Sequence, residues 1–188
     1  MVPQDANLLL LDHRVEFKLF AAEHHLRRLE EIEKRTGSLA SEERVYAEIH
    51  IDGFLSEIIG AKDALLQEIN EKLALGLDPR RVGLETVNVE IDDRRQIPSD
   101  LLSDINQIGD NSSWLWKLNE YRNHSHHRGR LLLFVKKDMF TGEVKTYLKE
   151  DPLDPSSGPL DVEITTYLRD CLQKMTELIK NTRRRIPQ

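Results

Sequence analysis

Two long stripes of apolar residues constrain the fold of this chain more than any other feature. The first runs between Leu8 and Arg35 at steps of four and three, through Val15, Leu19, Ala22, Leu26, Leu29 and Ile32. The second runs between Ser41 and Gly76, through Ile51, Leu55, Ile58, Lys62, Leu65, Ile69 and Leu73. This spacing places one apolar face along each of two amphipathic helices, the second of them roughly 35 residues or some 50 Å long. The chain is therefore predicted to be mainly α.

Weaker patterns predict three more helices farther along the chain. Ser99 can cap a short helix that reaches Ile108. A longer helix begins at Ser112 or Ser113, and its buried side consists of Trp114, Leu115, Leu118 and Tyr121. Asp161 is expected to cap the last helix. Residues 82–95 are predicted to form a loop, because their short apolar alternation ends in a run of charged residues.

A β-hairpin is predicted after the fourth helix. Its strands are Arg130 to Lys137 and Glu143 to Lys149, and Gly142 suits the loop between them. The whole chain of 188 residues fits one domain of ordinary size. Short connections between long amphipathic helices are typical of bundles. The expected fold is thus a single domain over residues 1–188, a bundle of about five helices with a hairpin appended at about 130–149.

Composition points to a protein of the cell interior. The single cysteine, Cys171, cannot form an internal disulfide, which favours a reducing compartment. Charged residues interrupt the apolar run at Leu8 to Leu11, so neither a signal peptide nor a membrane span is expected. These features predict a cytoplasmic protein without a membrane partner. Its net charge of −6 argues against a surface that coats nucleic acid in general.

The charge is unevenly distributed along the chain. Residues 112–149 hold eight Lys or Arg against three Asp or Glu, a local excess of five positive charges. The same segment contains the densest polar cluster, Tyr121 to Arg130, in which three of the seven histidines fall within four positions. Imidazole exchanges protons near neutral pH, and guanidinium offers a fork of donors that matches phosphate oxygens. An anion-binding face and a solvated basic hairpin both agree with this pattern.

The pattern Arg122-Asn123-x-x-x-His127 resembles the R-x(4–6)-H motif of the HEPN superfamily, in the form with Asn directly after Arg. HEPN domains are helical bundles, and their active members are metal-independent endoribonucleases that work as dimers with both motifs facing a shared cleft. The resemblance implies that His127 is the acid/base acting on the RNA 2′-hydroxyl or leaving oxygen, that Arg122 steadies the phosphate and that Asn123 orients either group. Arg128 and Arg130 would contact RNA phosphates. No cofactor is implied.

Two other interpretations fit the same residues. In the first, the protein is a noncatalytic homodimeric interaction module whose tryptophans or hairpin contact a partner, and Arg122 is a structural residue paired with Glu57 or Asp63. In the second, the bundle binds a metal through histidine. His124 and His127 would then share a helical face, and the set would be completed from His24, His25, His50 and Glu57.

Overall fold

The long apolar stripes do form helices. A computed structural model describes residues 12–40, 42–94 and 97–187. Its six helices in this part of the chain are α1 (Arg14–Thr36), α2 (Arg44–Lys72), α3 (Leu84–Asp92), α4 (Ser103–Asn106), α5 (Trp114–His127) and α6 (Ile164–Arg185). Strands β1 (Leu133–Lys137) and β2 (Val144–Leu148) lie between α5 and α6. The prediction of a mainly α bundle with an appended hairpin is confirmed.

Helices α1 and α2 form the centre of the bundle. The predicted positions of both stripes are buried except Leu19 and Leu73, which are half-buried. Leu29 of α1 and Leu65 of α2 are fully shielded from solvent. Helix α1 ends at Gly37, whose φ of +73° is the left-handed conformation that glycine adopts most easily. The predicted first turns of the two stripes, at Leu8 to Leu11 and at Ser41, lie outside the described residues.

Two glycines allow α1 to approach α2 closely. A Cβ on Gly53 would lie 2.6 Å from Nε2 and 2.7 Å from Nδ1 of His25. A Cβ on Gly60 would lie 3.2 Å from Cε of Lys18. The sequence predicts either a close helix crossing or a bend at these positions. The structure shows the crossing, because side chains of α1 occupy the space above both glycines while α2 continues through them.

The segment after α2 corrects one prediction. Residues 84–92 form helix α3 rather than a loop, with Val87 and Ile91 buried at helical spacing. Thr86 helps to start this helix, because its Oγ1 accepts a hydrogen bond of 2.9 Å from the Gly83 amide. In the sequence, Val87, Val89 and Ile91 alternate as in a strand. Val89 is exposed, so the buried residues are Val87 and Ile91, which have helical i, i+4 spacing. The bundle therefore has one helix more than predicted.

Two helix starts also differ from the sequence prediction. The short helix expected from Ser99 is confined to α4, Ser103–Asn106, and a 3-10 turn at Gln107–Gly109 follows it. Asp161 does not cap the last helix. Glu163 occupies that position without a capping hydrogen bond from its side chain, and α6 begins at Ile164. The buried face of α6 agrees with the sequence pattern and includes Leu168, Cys171 and Met175.

The hairpin is fixed to the bundle at two points. Its antiparallel strands pair Leu133 with Leu148, and Gly142 closes the loop with a φ of +76°. The Tyr121 hydroxyl on α5 donates a hydrogen bond to the Lys149 carbonyl, just beyond β2. On the other side, the buried hydroxyls of Thr146 and Ser38 lie 3.1 Å apart. Within the described ranges, no helix is both long and apolar enough to cross a membrane.

Candidate functional site

The motif residues lie on the last two turns of α5. Ser113 caps the start of this helix, because its Oγ accepts a hydrogen bond of 3.0 Å from the Trp116 amide. Leu115, Leu118 and Tyr121 face the core, which fixes the rotation of α5 about its axis. The helix ends where the amides of Arg128 and Gly129 both donate to the His124 carbonyl, at 2.9 and 3.0 Å. The motif residues therefore lie on a helix whose orientation is set by its buried side.

Arg122 is half-buried and lacks an acidic partner among the described residues. Its Nη1 donates to Oδ1 of Asn123 at 3.1 Å, whereas its Nε is shielded from solvent and has no hydrogen-bond partner. The predicted pairing with Glu57 or Asp63 is wrong. Glu57 lies 2.9 Å from Lys18, and Asp63 lies 2.7 Å from Lys62, so both acids are engaged by nearer lysines.

His127 is exposed, and its side chain points away from that of Arg122. Both residues belong to the helical part of α5, in which each position turns the side chain by about 100°. Two side chains five positions apart therefore diverge by about 140° around the axis. The His127 ring lies near the His126 ring, with centroids 6.2 Å apart. The structure thus brings Asn123 to Arg122 but does not bring His127 to Arg122 within one chain.

The two predicted phosphate contacts are exposed arginines that each touch one carboxylate. Arg128 Nη1 lies 3.5 Å from Glu120, which also accepts a hydrogen bond of 3.3 Å from the side-chain Nδ2 of Asn123. Arg130 Nε lies 3.3 Å from Glu48. Both contacts are at the surface, where an ion pair contributes little free energy and opens readily. The outer nitrogens of Arg130 have no partner in the part of the chain that the structure describes.

Two residues that the sequence did not single out as site residues anchor the end of α5 to α2. Ser125 Oγ donates to Asp52 Oδ1 at 2.5 Å, and His126 Nε2 lies 2.6 Å from Ser56 Oγ. Asp52 and Ser56 are four positions apart on α2 and so share a face. The only sequence signal for these pairs is that spacing, because the partners are about 70 residues away along the chain.

The predicted histidine set does not assemble into a metal site. Within the described ranges, no three His, Cys, Asp or Glu side chains are grouped closely enough to hold a metal ion. His25 Nδ1 instead lies 3.0 Å from His50 Nδ1, at the crossing of α1 and α2. Burial, and secondarily the neighbouring His24, lowers the pKa of His25. Burial, and secondarily His25, lowers the pKa of His50. The two rings therefore contact each other and do not share a metal with other side chains.

A cavity of about 240 Å³ lies beside the end of α5. Its walls come from α2, from the end of α5 and from the segment that leads into β1, including Asp52, Ser125 and Arg130. Searches of family models, curated proteins and solved structures find no match to the chain. Function is therefore inferred from the geometry of this region and from the Arg122 motif.

Proposed function

We propose that the chain is a metal-independent endoribonuclease that works as a homodimer. Arg122 binds the scissile phosphate, and His127 transfers protons to and from the RNA 2′-hydroxyl or the leaving oxygen. Asn123 holds the guanidinium of Arg122 in place through its side-chain oxygen. In this reaction the 2′-oxygen forms a bond to phosphorus while the bond from phosphorus to the 5′-oxygen breaks, so one product ends in a 2′,3′-cyclic phosphate.

The observation that supports this proposal is that the guanidinium of Arg122 has no carboxylate partner among the described residues. A guanidinium cannot lose its proton in a protein, so its partial burial without a counter-anion costs free energy. Among the described residues, Arg122 has an amide oxygen as its hydrogen-bond acceptor and no carboxylate. A phosphate offers oxygens to the outer nitrogens of a guanidinium. An RNA phosphate at the outer nitrogens of Arg122 would supply the missing negative charge.

The divergence of Arg122 and His127 requires two copies of the chain. A short exposed stripe at the start of α2, formed by Val45 and Ile49, fits such an arrangement, because the same helical face leads to Ser56, which contacts His126. Val45 is 68% exposed and Ile49 is 55% exposed. Neighbouring large apolar side chains on a surface mark a contact site. A second copy packed against this stripe would lie next to the motif and could present its own His127 to Arg122.

The first experiment is a cleavage assay with purified protein, mixed-sequence RNA and EDTA. Wild type is expected to produce fragments with cyclic phosphate ends, whereas the His127→Ala variant is expected to be inactive. The His24→Ala variant is the matched control, because His24 is an exposed histidine on α1. Absence of cleavage by wild type would contradict the proposal. Cleavage that EDTA abolishes would contradict the metal-independent mechanism.

Mixing two inactive variants tests the shared site. If each site combines Arg122 of one copy with His127 of the other, a dimer of one Arg122→Ala chain and one His127→Ala chain keeps one intact site. About half of the dimers in an equal mixture are of this kind, so about a quarter of the wild-type rate is expected to return. No recovery after subunit exchange, verified by differently tagged chains, would show that each site lies within one chain.

A noncatalytic interaction module is the second candidate, and the tip of the hairpin favours it. Phe140 is fully exposed and Met139 is 84% exposed. The tryptophans fit this role less well, because Trp114 packs against the core and Trp116 is half-buried. Analytical ultracentrifugation of two variants separates the candidates. Ile49→Asp is expected to disrupt the dimer of the nuclease, whereas Phe140→Asp would disrupt a dimer held by the hairpin.

A further inference from the structure

The cavity beside α5 has the chemistry of a site for one RNA base. We propose that it is the base subsite of the nuclease and that it selects guanine. This inference rests on the proposed function, because it assigns the substrate class of the same site. The cavity volume of about 240 Å³ is large enough for a single purine ring system.

The floor of the cavity is apolar. Ile51 and Leu131 are buried beneath it, and Leu133 at the start of β1 is half-buried. Aliphatic side chains of this kind pack against the face of an aromatic ring, which releases water from both surfaces. Every base has such a face, so the floor provides affinity without choosing among the four bases. Selection must come from the polar walls.

The two carboxylates on the wall differ in how they are neutralised. Glu48 lies between two arginines, with Arg44 Nε at 2.9 Å and Arg130 Nε at 3.3 Å. Asp52 has no cationic partner among the described residues. One of its oxygens accepts the Ser125 hydroxyl, and the other remains open. The cavity therefore presents one exposed carboxylate that is short of hydrogen-bond donors.

The four bases offer different partners to such a carboxylate. Guanine presents two adjacent donors, N1–H and the N2 amino group, which match the two oxygens of a carboxylate. On the same edge, adenine presents one donor, its N6 amino group, beside the acceptor N1, and a carboxylate accepts hydrogen bonds but donates none. Uracil has one donor between two acceptors, and cytosine has one donor and two acceptors. Asp52 would therefore favour guanine over the other three bases.

The position of the cavity fits a nucleotide next to the motif. Ser125 and Gly129 line it, and His126 and His127 lie between them on the chain. Gly129 has a φ of +139°, a conformation that residues with a side chain rarely adopt, and this turn directs the chain to Arg130. The free outer nitrogens of Arg130 lie at the rim, where they can contact the phosphate attached to a bound base.

Nucleotide binding can be measured without cleavage. We would titrate ¹⁵N-labelled protein with 5′-GMP or 5′-AMP and follow the amide signals of Gly129 and Leu131. GMP is expected to bind about tenfold more tightly than AMP, as a good bidentate contact to a base provides. Asp52→Asn should reduce GMP binding to the level of AMP, because the amide replaces one acceptor with a donor. Asp63→Asn, an exposed acid on the same helix, should change neither affinity.

The possible outcomes separate this inference from the nuclease itself. Equal binding of GMP and AMP, or unchanged preference in Asp52→Asn, would overturn the guanine subsite. Tighter binding of an arginine-containing peptide than of GMP at the same amides would also overturn it and assign the cavity to a protein partner. An active nuclease without GMP binding contradicts the subsite alone. GMP binding by a protein that never cleaves RNA contradicts the nuclease and leaves the subsite standing.

Discussion

Two half-buried arginines in this bundle have different hydrogen-bond partners, carboxylates in one case and an amide oxygen in the other. Arg183 of α6 donates to Glu16 at 2.6 Å and to both oxygens of Glu68, at 2.6 to 3.1 Å. Burial opposes its charge, but the hydrogen bonds to the two glutamates outweigh burial and raise the pKa of Arg183. In return, the hydrogen bond from Arg183 lowers the pKa of Glu16. Arg122 of α5 has an amide oxygen in place of these carboxylates.

The charge of Arg183 therefore has a structural role, whereas the charge of Arg122 is available to bind an anion. Around Arg183, Glu16 of α1 and Glu68 of α2 provide the counter-charge that a guanidinium needs, so this cation is already neutralised by its own chain. Around Arg122 the acids that could have served are bound elsewhere, Glu57 by Lys18 and Asp63 by Lys62. A buried cation that its own chain leaves unneutralised is available to an external anion.

The largest expected difference is in catalysis. Arg122→Met removes the donors proposed to bind the phosphate, and we expect RNA cleavage to fall by about a hundredfold or more. Arg183→Met is the matched control, because it removes another half-buried guanidinium and should leave the cleavage rate of the folded protein unchanged. The measurement is the initial rate on a fluorogenic RNA below the unfolding temperature. Equal losses in both variants would show that the contrast has no functional meaning.

The same two variants should also differ in stability, and here Arg183→Met should show the larger loss. Arg183→Met leaves Glu16 without its cation and Glu68 with Lys72 alone, and we expect a loss of about 2 kcal/mol in the free energy of unfolding. Arg122→Met exchanges an unneutralised charge for an apolar side chain, so its stability should stay within about 0.5 kcal/mol of wild type. Urea unfolding followed by circular dichroism gives both values. A strongly destabilised Arg122→Met would identify a structural partner for Arg122.

The crossing of α1 and α2 offers a further test, of the packed part of the bundle that contains neither arginine. Gly53→Ala would bring a Cβ against the His25 ring, which is held between the helices, and should cost about 1–2 kcal/mol. Gly60→Ala meets the end of the flexible Lys18 side chain, so the gain in helix propensity should dominate and raise stability by up to about 1 kcal/mol. Thermal melts of both variants check the signs, and cleavage should be retained in each.

The sequence predicted the helices whose buried residues recur with helical periodicity. The stripes of α1 and α2 and the buried face of α6 follow from helical periodicity, since each records contact with the core. Helix α3 was missed because its buried pair, Val87 and Ile91, is interleaved with the exposed Val89. The shortness of this helix left too few turns for a period to be recognised.

The contacts of the site depend on how the helices cross, and one-dimensional spacing carries no such information. The motif identified Arg122 and His127 as residues of interest. It did not reveal that Asp52 and Ser56 hold the end of α5, because these pairs are formed by packing between α2 and α5. The wrong partner for Arg122 has the same cause. Glu57 was a candidate partner for Arg122, but the crossing at Gly60 places Lys18 beside Glu57, and these two side chains form an ion pair.

The smallest expected effect is a pH dependence of stability at the crossing of α1 and α2. The contact between His25 Nδ1 and His50 Nδ1 requires one donor and one acceptor, and two protonated rings would offer two donors. His24 and Arg28 add positive charge near this pair, whereas Glu57 and Glu31 add negative charge. Burial lowers the pKa of both rings in the folded protein, so the unfolded chain binds their protons more tightly.

Stability from this pair is therefore complete above the unfolded pKa of about 6.5 and is lost as the pH falls through the lower folded values. Melting temperatures of wild type between pH 7.5 and 5 should decrease, and His50→Gln should flatten the decrease because only one ring remains to be protonated. His127→Gln, at the end of α5, should follow the wild-type curve, since the His127 ring is exposed. If His127→Gln flattened the curve as much as His50→Gln, the pH sensitivity would belong to the end of α5 and not to the crossing of α1 and α2.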